Sequence, residues 1–281
     1  MIDLSFLRLL DRFSLIIRKR ITSNYVGPKR SIAVGRGITF KDYRPYASGD
    51  DFRSIDWKVY ARTDHLYVKT YEEERNFVVH VLIDCSASMN YGKPNKFDYG
   101  AMIGVGFAYL AIKDNEKFQF ATFADSMHTF QPKRGMSHLL AMVQHLNDVK
   151  KNGYSKIFDS VMQYKKNLGT KSLIVIVSDL LINIDEIKKA LYMLGDHEIK
   201  VIQVLDRSEV NLGIKGDLDL KDSESGSKLR TYISPRLKTQ YEHMLDDHAK
   251  EIEKTCNDLG ISFFQITTDT ALFDAFYKIL E

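Results

Sequence analysis

Cysteine is nearly absent: Cys85 and Cys256 are the only two in 281 residues. A disulfide framework is excluded, and without a C-x-x-C pair neither a zinc knuckle nor a dithiol redox centre has support. The 8 histidines show no H-x-x-x-H spacing of the kind that places two zinc ligands on one helix face. No stretch approaches the ~18 apolar residues that a membrane span needs. The longest apolar run, Gly100 to Ile112, reads as a buried helix. Asp3, Arg8, Asp11 and Arg12 interrupt what would have to be the apolar core of a signal peptide, so the expected compartment is the cytoplasm. There is no run of five like charges, no repeat of fixed period, no Gly-x-Ser-x-Gly elbow and no Gly-Lys-Ser/Thr phosphate loop.

What the chain does have is an ordinary globular composition. Hydrophobic residues at 44% and charged residues at 27% are enough to build a core without staples, which excludes disorder as the main character. Charge is distributed unevenly. Residues 1–70 hold 14 Lys and Arg against 7 Asp and Glu, a balance of +7, so that a total of +3 leaves −4 for the rest. A basic first quarter permits contact with an anionic surface.

The pattern divides near residue 74. In residues 1–74, helical spacing of Ile2, Phe6, Leu9, Leu10, Phe13, Ile16 and Ile17 predicts a helix over Leu4–Arg20, packed on a core or, as the rival reading, lying on a membrane surface. An irregular stretch rich in Gly, Arg, Asp and Tyr follows. Gly49-Asp50-Asp51 reads as a turn into a short capped helix running toward Trp57, and Leu66–Tyr71 as a strand. In residues 75–281 strands alternate with helices. Strands are expected at Phe77–Ile83, Phe118–Phe123, Met127–Phe130, Leu173–Val177, Ile199–Leu205 and Ile261–Ile266. Helices are expected at Lys96–Lys113, Ser137–Leu146, Ile157–Asn167, Ile184–Leu194, Pro235–Leu259 and Ala271–Leu280. A polar insertion at 207–234 reads as a hairpin, Asp217–Lys221 with Lys228–Tyr232. The fold class is therefore α/β, a doubly wound, mostly parallel sheet, with an N-terminal helix and irregular segment added.

Open sheets of this class bind ligands beyond the carboxyl ends of strands, where strand order reverses. Asp84 directly follows the apolar run FVVHVLI, and Asp179 follows Leu173–Val177 with only Ser178 between. If the two strands are neighbours, both carboxylates open into one crevice. Ser86 and Ser88 alternate behind Asp84 and turn their hydroxyls the same way in an extended loop. Two carboxylates with hydroxyls form an all-oxygen cluster, suited to a hard divalent cation: Mg²⁺, or Mn²⁺ with the same preference. The bland alternative is that these side chains only cap local turns. A lysine ammonium plugged between the two aspartates would exclude the cation.

Asp84-Cys85-Ser86-Ala87-Ser88-Met89 on a hydrophobic strand resembles the metal-ion-dependent adhesion site of von Willebrand factor A-like domains. More specific is the stretch Gly35-Arg36-Gly37-Ile38-Thr39-Phe40, Arg44-Pro45-Tyr46, Gly49 to Trp57 and Ala61-Arg62. It resembles the bacterial family known as domain of unknown function 58, over nearly the whole chain. The resemblance implies a von Willebrand factor A-like domain behind a family-specific N-terminal segment. It also implies a role as adaptor or co-chaperone of MoxR-type AAA+ ATPases, beside which members are often encoded. Residue by residue, it assigns the metal to Asp84, Ser86, Ser88 and Asp179. Gly153-Tyr154-Ser155 stands where the family has a threonine, so Ser155 would supply that hydroxyl.

Other residues carry plainer expectations. Arg44, Asp50, Arg53, Asp56 and Arg62 are expected to pair with one another and fix their segment. Trp57 is expected to anchor packing, Cys85 to be a buried inert thiol, and His243 and His248 to be solvated. The acidic hairpin with Asp217, Asp219, Asp222 and Glu224 is expected to be a solvated edge, or else part of a partner footprint.

Three functions compete. The preferred one is a non-enzymatic, Mg²⁺-dependent module that binds an Asp or Glu of a protein partner. The second is a phosphoryl-transfer enzyme with Asp84 as nucleophile, weakened because Ser86 stands where such enzymes carry a second acid. The third is binding of nucleic acid or a membrane surface through the basic N-terminal segment, where no recognised nucleic-acid motif occurs.

Overall fold

The computed structural model describes residues 34–35, 39–72, 77–169, 172–195, 197–213 and 216–280. The helix expected at Leu4–Arg20 lies outside the described residues. Two compact units are distinguished, one within Ile21–Asn76 and one containing Phe77–Glu281.

In the smaller unit, β1 (Val34–Gly35) and β2 (Thr39–Pro45) flank β3 (Tyr67–Glu72) as an antiparallel three-stranded sheet. The helix expected to run toward Trp57 instead begins there. Asp51 caps only a 3-10 turn, Phe52–Ser54, whereas Asp56 caps α1 (Trp57–Thr63) by accepting from the backbone N–H groups of Lys58 and Val59. Asp56 also takes the Lys69 ammonium at 3.0 Å and the Tyr43 hydroxyl at 2.8 Å, which together push its carboxyl down to about 2. Arg44 grips Asp50 with both terminal nitrogens, at 2.6 and 2.7 Å. The expected ion-pair set is thus partly rewired: Asp56 chooses Lys69, and the Arg62 side chain donates to the Lys58 carbonyl. Trp57 is 58% exposed and not the expected packing anchor.

The larger unit is a mixed α/β fold on a mostly parallel sheet. Its strands are β4 (Val78–Asp84), β5 (Lys117–Phe123), β6 (Met127–Thr129), β7 (Ser172–Ser178), β8 (Glu198–Leu205) and β11 (Ser262–Thr267). Their order is β11-β8-β7-β4-β5-β6, parallel except for β6. The chain first moves outward from β4 through β5 to β6. It then returns to lay β7 beside β4 and moves the other way. The point of reversal therefore falls between β4 and β7.

Alternation along the strands assigns the two faces. Val79, Val81 and Ile83 of β4 join α2 (Lys96–Lys113), α3 (Met136–Asp148) and α8 (Leu272–Leu280) in one core. Leu82, Ile174, Ile176 and Val201 join α4 (Ile157–Tyr164), α5 (Ile184–Leu194) and α7 (Pro235–Asp258) in the other. Helices on both sides explain why these strands are continuous apolar runs rather than alternating ones. Glycine lets α2 lie close on the sheet: a Cβ at Gly104 would stand 2.7 Å from a Val81 methyl, and one at Gly100 2.7 Å from a Val177 methyl. Close seating holds the first turn of α2, with Lys96, against the strand ends.

Between β8 and α7 the chain forms a one-turn helix, α6 (Arg207–Val210), which sequence patterning did not reveal. Asp206 and Glu209 make its capping box. The expected hairpin follows as β9 (Gly216–Lys221) and β10 (Lys228–Ile233), antiparallel, with Lys221 opposite Lys228.

Candidate functional site: a carboxylate and hydroxyl cluster at the strand switch

Parallel pairing sets Ile83 opposite Val177, so Asp84 and the Ser178-Asp179 pair emerge side by side where β4 and β7 end. Both carboxylates are buried, at 0% and 1% exposure. Asp84 Oδ2 accepts the hydroxyls of Ser155 and Ser178, each at 2.6 Å, and Oδ1 accepts the Ser86 backbone N–H at 2.8 Å. Ser86 Oγ lies 3.0 Å from Ser88 Oγ. The loop that brings Ser155 is stitched to the Asp84 loop by two backbone bonds, from Ala87 N–H to the Gly153 carbonyl and from Asn152 N–H to the Cys85 carbonyl. Gly153 adopts φ +84°, and a Cβ there would run into the Asp125 carboxylate, so glycine is required for this approach.

Asp84, Ser86, Ser88 and Ser155 are thereby linked in one largely buried cluster, with Asp179 at the end of the adjoining strand. Burial and the neighbouring Asp179 carboxylate push the Asp84 carboxyl up, against the three donors that favour its charged form. The backbone after Asp179 is held open by Leu180 at φ +52°, whose carbonyl accepts from His248 Nε2 at 2.8 Å. His248 is thus engaged rather than solvated. The Gln203 amide donates to the Asp179 carbonyl at 2.9 Å. Cys85 turns away from the serines, as alternation predicts, and burial raises its thiol to about 11.

Four participants escaped the sequence reading of this site. Ser178 donates to Asp84 and accepts the Leu180 N–H at 3.0 Å. Lys96, wholly buried, places Nζ 2.9 Å from Asp179 Oδ2 and 2.6 Å from Glu209 Oε1. Asp84 is engaged by two hydroxyls and a backbone N–H, whereas the bonds of the lysine go to Asp179 and Glu209. Burial alone would lower the Lys96 pKa, but the two carboxylates outweigh it and hold it above its usual value. Glu209 moves up as well, because there burial outweighs the pull of the lysine. One signal for Lys96 was available: a cation in the first turn of a mostly apolar helix opposes the helix dipole and needs an acidic partner. The fourth is Glu224, half-buried on the hairpin turn, whose carboxyl is pushed up chiefly by burial and further by the charges of Asp179 and Asp84.

The donors are all oxygen, apart from one lysine. Among the described residues no three His, Cys, Asp or Glu side chains gather as a ready metal cage. A cation here would have to rest on hydroxyls as much as on carboxylates. The separation of Ser86 Oγ and Ser88 Oγ fits that use: adjacent oxygens of an octahedron with bonds of ~2.1 Å stand about 3.0 Å apart. Among the described residues, the ammonium that pairs with these carboxylates is that of Lys96, held by Asp179 and Glu209.

Comparison with known proteins places these features in a family. An uncharacterized protein of Mycobacterium tuberculosis is 24% identical over 269 residues, covering 92% of this chain and 84% of its own length. The uncharacterized protein YeaD of Bacillus subtilis is 24% identical over 136 residues, covering 48% and 33% respectively. Among solved structures, BatB of Bacteroides thetaiotaomicron is similar with a TM-score of 0.45 and 16% identity, over 73% of this chain and 97% of that one. An aerotolerance-related membrane protein of Bacteroides fragilis gives 0.44 and 16%, over 73% and 98%. No helix among the described residues is long and apolar enough to cross a membrane. Residues 42–251 match the family pattern described as protein of unknown function DUF58, and the chain belongs to that family.

Proposed function

We propose that the protein is a non-enzymatic, Mg²⁺-dependent protein-binding module. In this reading its larger unit is a von Willebrand factor A-like domain. Asp84, Ser86, Ser88, Ser155 and Asp179 form a metal-ion-dependent adhesion site, and the partner is a MoxR-type AAA+ ATPase of the cytoplasm, which the protein serves as adaptor or co-chaperone. The observation that carries the proposal is the meeting of these five side chains, from three separate stretches of chain, at the reversal point of the sheet.

Each residue has a distinct part. The hydroxyls of Ser86, Ser88 and Ser155 would offer neutral oxygens. Asp84, behind them, already accepts the Ser155 proton and so turns that oxygen's lone pairs outward. Asp179 adds negative charge, moderated by Lys96. When bound, Mg²⁺ supplies a positive centre, kept electron-poor by its neutral ligands, that an Asp or Glu of a partner can engage. The same geometry argues against phosphoryl transfer with Asp84 as nucleophile. Both of its oxygens are taken by donors, the group has no exposed surface, and Ser86 stands where a general acid would be needed.

The test is capture of partners from a bacterial lysate by the 281-residue chain, with Mg²⁺ or with EDTA. The proposal expects an AAA+ ATPase to be retained by wild type with Mg²⁺ and lost with EDTA or on Asp84→Ala. Retention indifferent to both would defeat it.

A further inference from the structure

A cavity of about 670 Å³ opens beyond the carboxyl ends of β8 and β11, a volume suited to a small molecule. None of the five residues assigned to the cation lines it. Parallel pairing sets Leu205 opposite Thr267, so Asp206 and Thr268 leave the two strands together. The wall they form is fixed before any ligand arrives. The Asp206 carboxylate accepts the Ser208 N–H and hydroxyl, at 2.9 and 2.6 Å, and the Thr268 hydroxyl at 3.0 Å. Because the Ser208 hydroxyl gives its proton to Asp206, it accepts from the Tyr91 hydroxyl, 3.1 Å away. Gly92, at φ +87°, lets the loop after β4 lie directly on this wall, since a Cβ there would run into the Asp206 carboxylate. Around the wall stand groups that remain open to a ligand. The Tyr91 side chain is 47% exposed. Lys93 is exposed and, among the described residues, pairs with no carboxylate. Arg207 and Asp269 meet only at 3.6 Å, and both are exposed.

We propose that this cavity binds a nucleoside phosphate. A base stacked on Tyr91, phosphate oxygens on Lys93 and Arg207, and sugar hydroxyls donating to Asp269 use the ring, both cations and the carboxylate together. A simple anion would meet repulsion from Asp269, and an uncharged sugar would leave the two cations unused. The place agrees as well, because open α/β sheets take ligands beyond the carboxyl ends of their strands. The inference stands apart from the metal reading, since it needs neither the cation nor a protein partner.

The experiment is isothermal titration of the 281-residue chain in EDTA with ADP, and separately with adenosine and with inorganic phosphate. ADP is expected to bind more tightly than either part alone, because the two parts are linked. Lys93→Ala and Arg207→Ala should each weaken ADP on the order of tenfold, the loss of one charge-assisted contact. Tyr91→Ala should do likewise through lost stacking, while Tyr91→Phe, which keeps the ring, should stay close to wild type. These side chains are exposed, so the substitutions leave the core intact. Asp269→Ala should also weaken ADP; a gain in affinity would mean that the carboxylate only repels phosphate, and would overturn the proposal. So would the absence of ADP binding by wild type, phosphate binding as tightly as ADP, or an ADP affinity unchanged in Lys93→Ala, Arg207→Ala and Tyr91→Ala. None of these outcomes bears on the Mg²⁺ reading, which is measured without nucleotide.

Discussion

Lys96→Met should destabilise the metal-free protein by about 3 kcal/mol, the usual consequence of removing one partner from a buried ion pair. The lysine has no exposed surface and is held by two carboxylates, of which Asp179 is fully buried and Glu209 mostly so. Methionine fills a similar volume but removes the ammonium that pairs with Asp179 and Glu209. For a unit of this size the loss amounts to a fall of about 6–12 °C in melting temperature. Added Mg²⁺ should recover a larger part of the stability in the variant than it contributes in wild type, because the site has become more negative. Urea unfolding in EDTA and in Mg²⁺ measures both effects. Equal stability of variant and wild type in EDTA would mean that the lysine is not needed to balance these carboxylates.

The second large effect is that of the ion itself. At Mg²⁺ a hundredfold above its dissociation constant, linkage gives about 2.7 kcal/mol of stabilisation, or about 5–11 °C in melting temperature. Asp84→Ala should abolish the increment. It should also lower the metal-free stability, because the Ser155 and Ser178 hydroxyls and the Ser86 N–H lose their acceptor. The informative quantity is therefore the change on adding Mg²⁺ within each protein. Asp84→Asn preserves the shape and still accepts hydrogen bonds, so it separates loss of charge from loss of packing. An equal Mg²⁺ response in wild type and both variants would place any bound ion elsewhere.

The strand ends were legible because a strand covered on both faces must be apolar throughout, so the first polar residue marks where it leaves the core. Asp84 and Ser178-Asp179 stand out for that reason. That β4 and β7 are neighbours was only an expectation of the fold class, and Ser155 rested on a resemblance. Pairing across the sheet is a property of the tertiary structure, which no local pattern encodes. Glu209 was hidden for the same reason: a capping-box glutamate looks like a local device until the fold sets it against the Lys96 ammonium. Around Trp57 two aspartates competed as helix caps. Asp56 prevailed because its carboxylate reaches two backbone N–H groups in place of one. The tryptophan then fell on the exposed side of a short helix, where bulk alone predicts nothing.

One measurement bears most directly on the central claim that the Asp84 cluster binds a divalent ion: isothermal titration of the full chain, first stripped with EDTA and dialysed, with Mg²⁺ and separately with Mn²⁺. A single site per chain in wild type, absent in Asp84→Ala and weakened in Ser86→Ala, is the predicted result. No binding of either ion by wild type, or a site unaffected by both substitutions, would contradict the account.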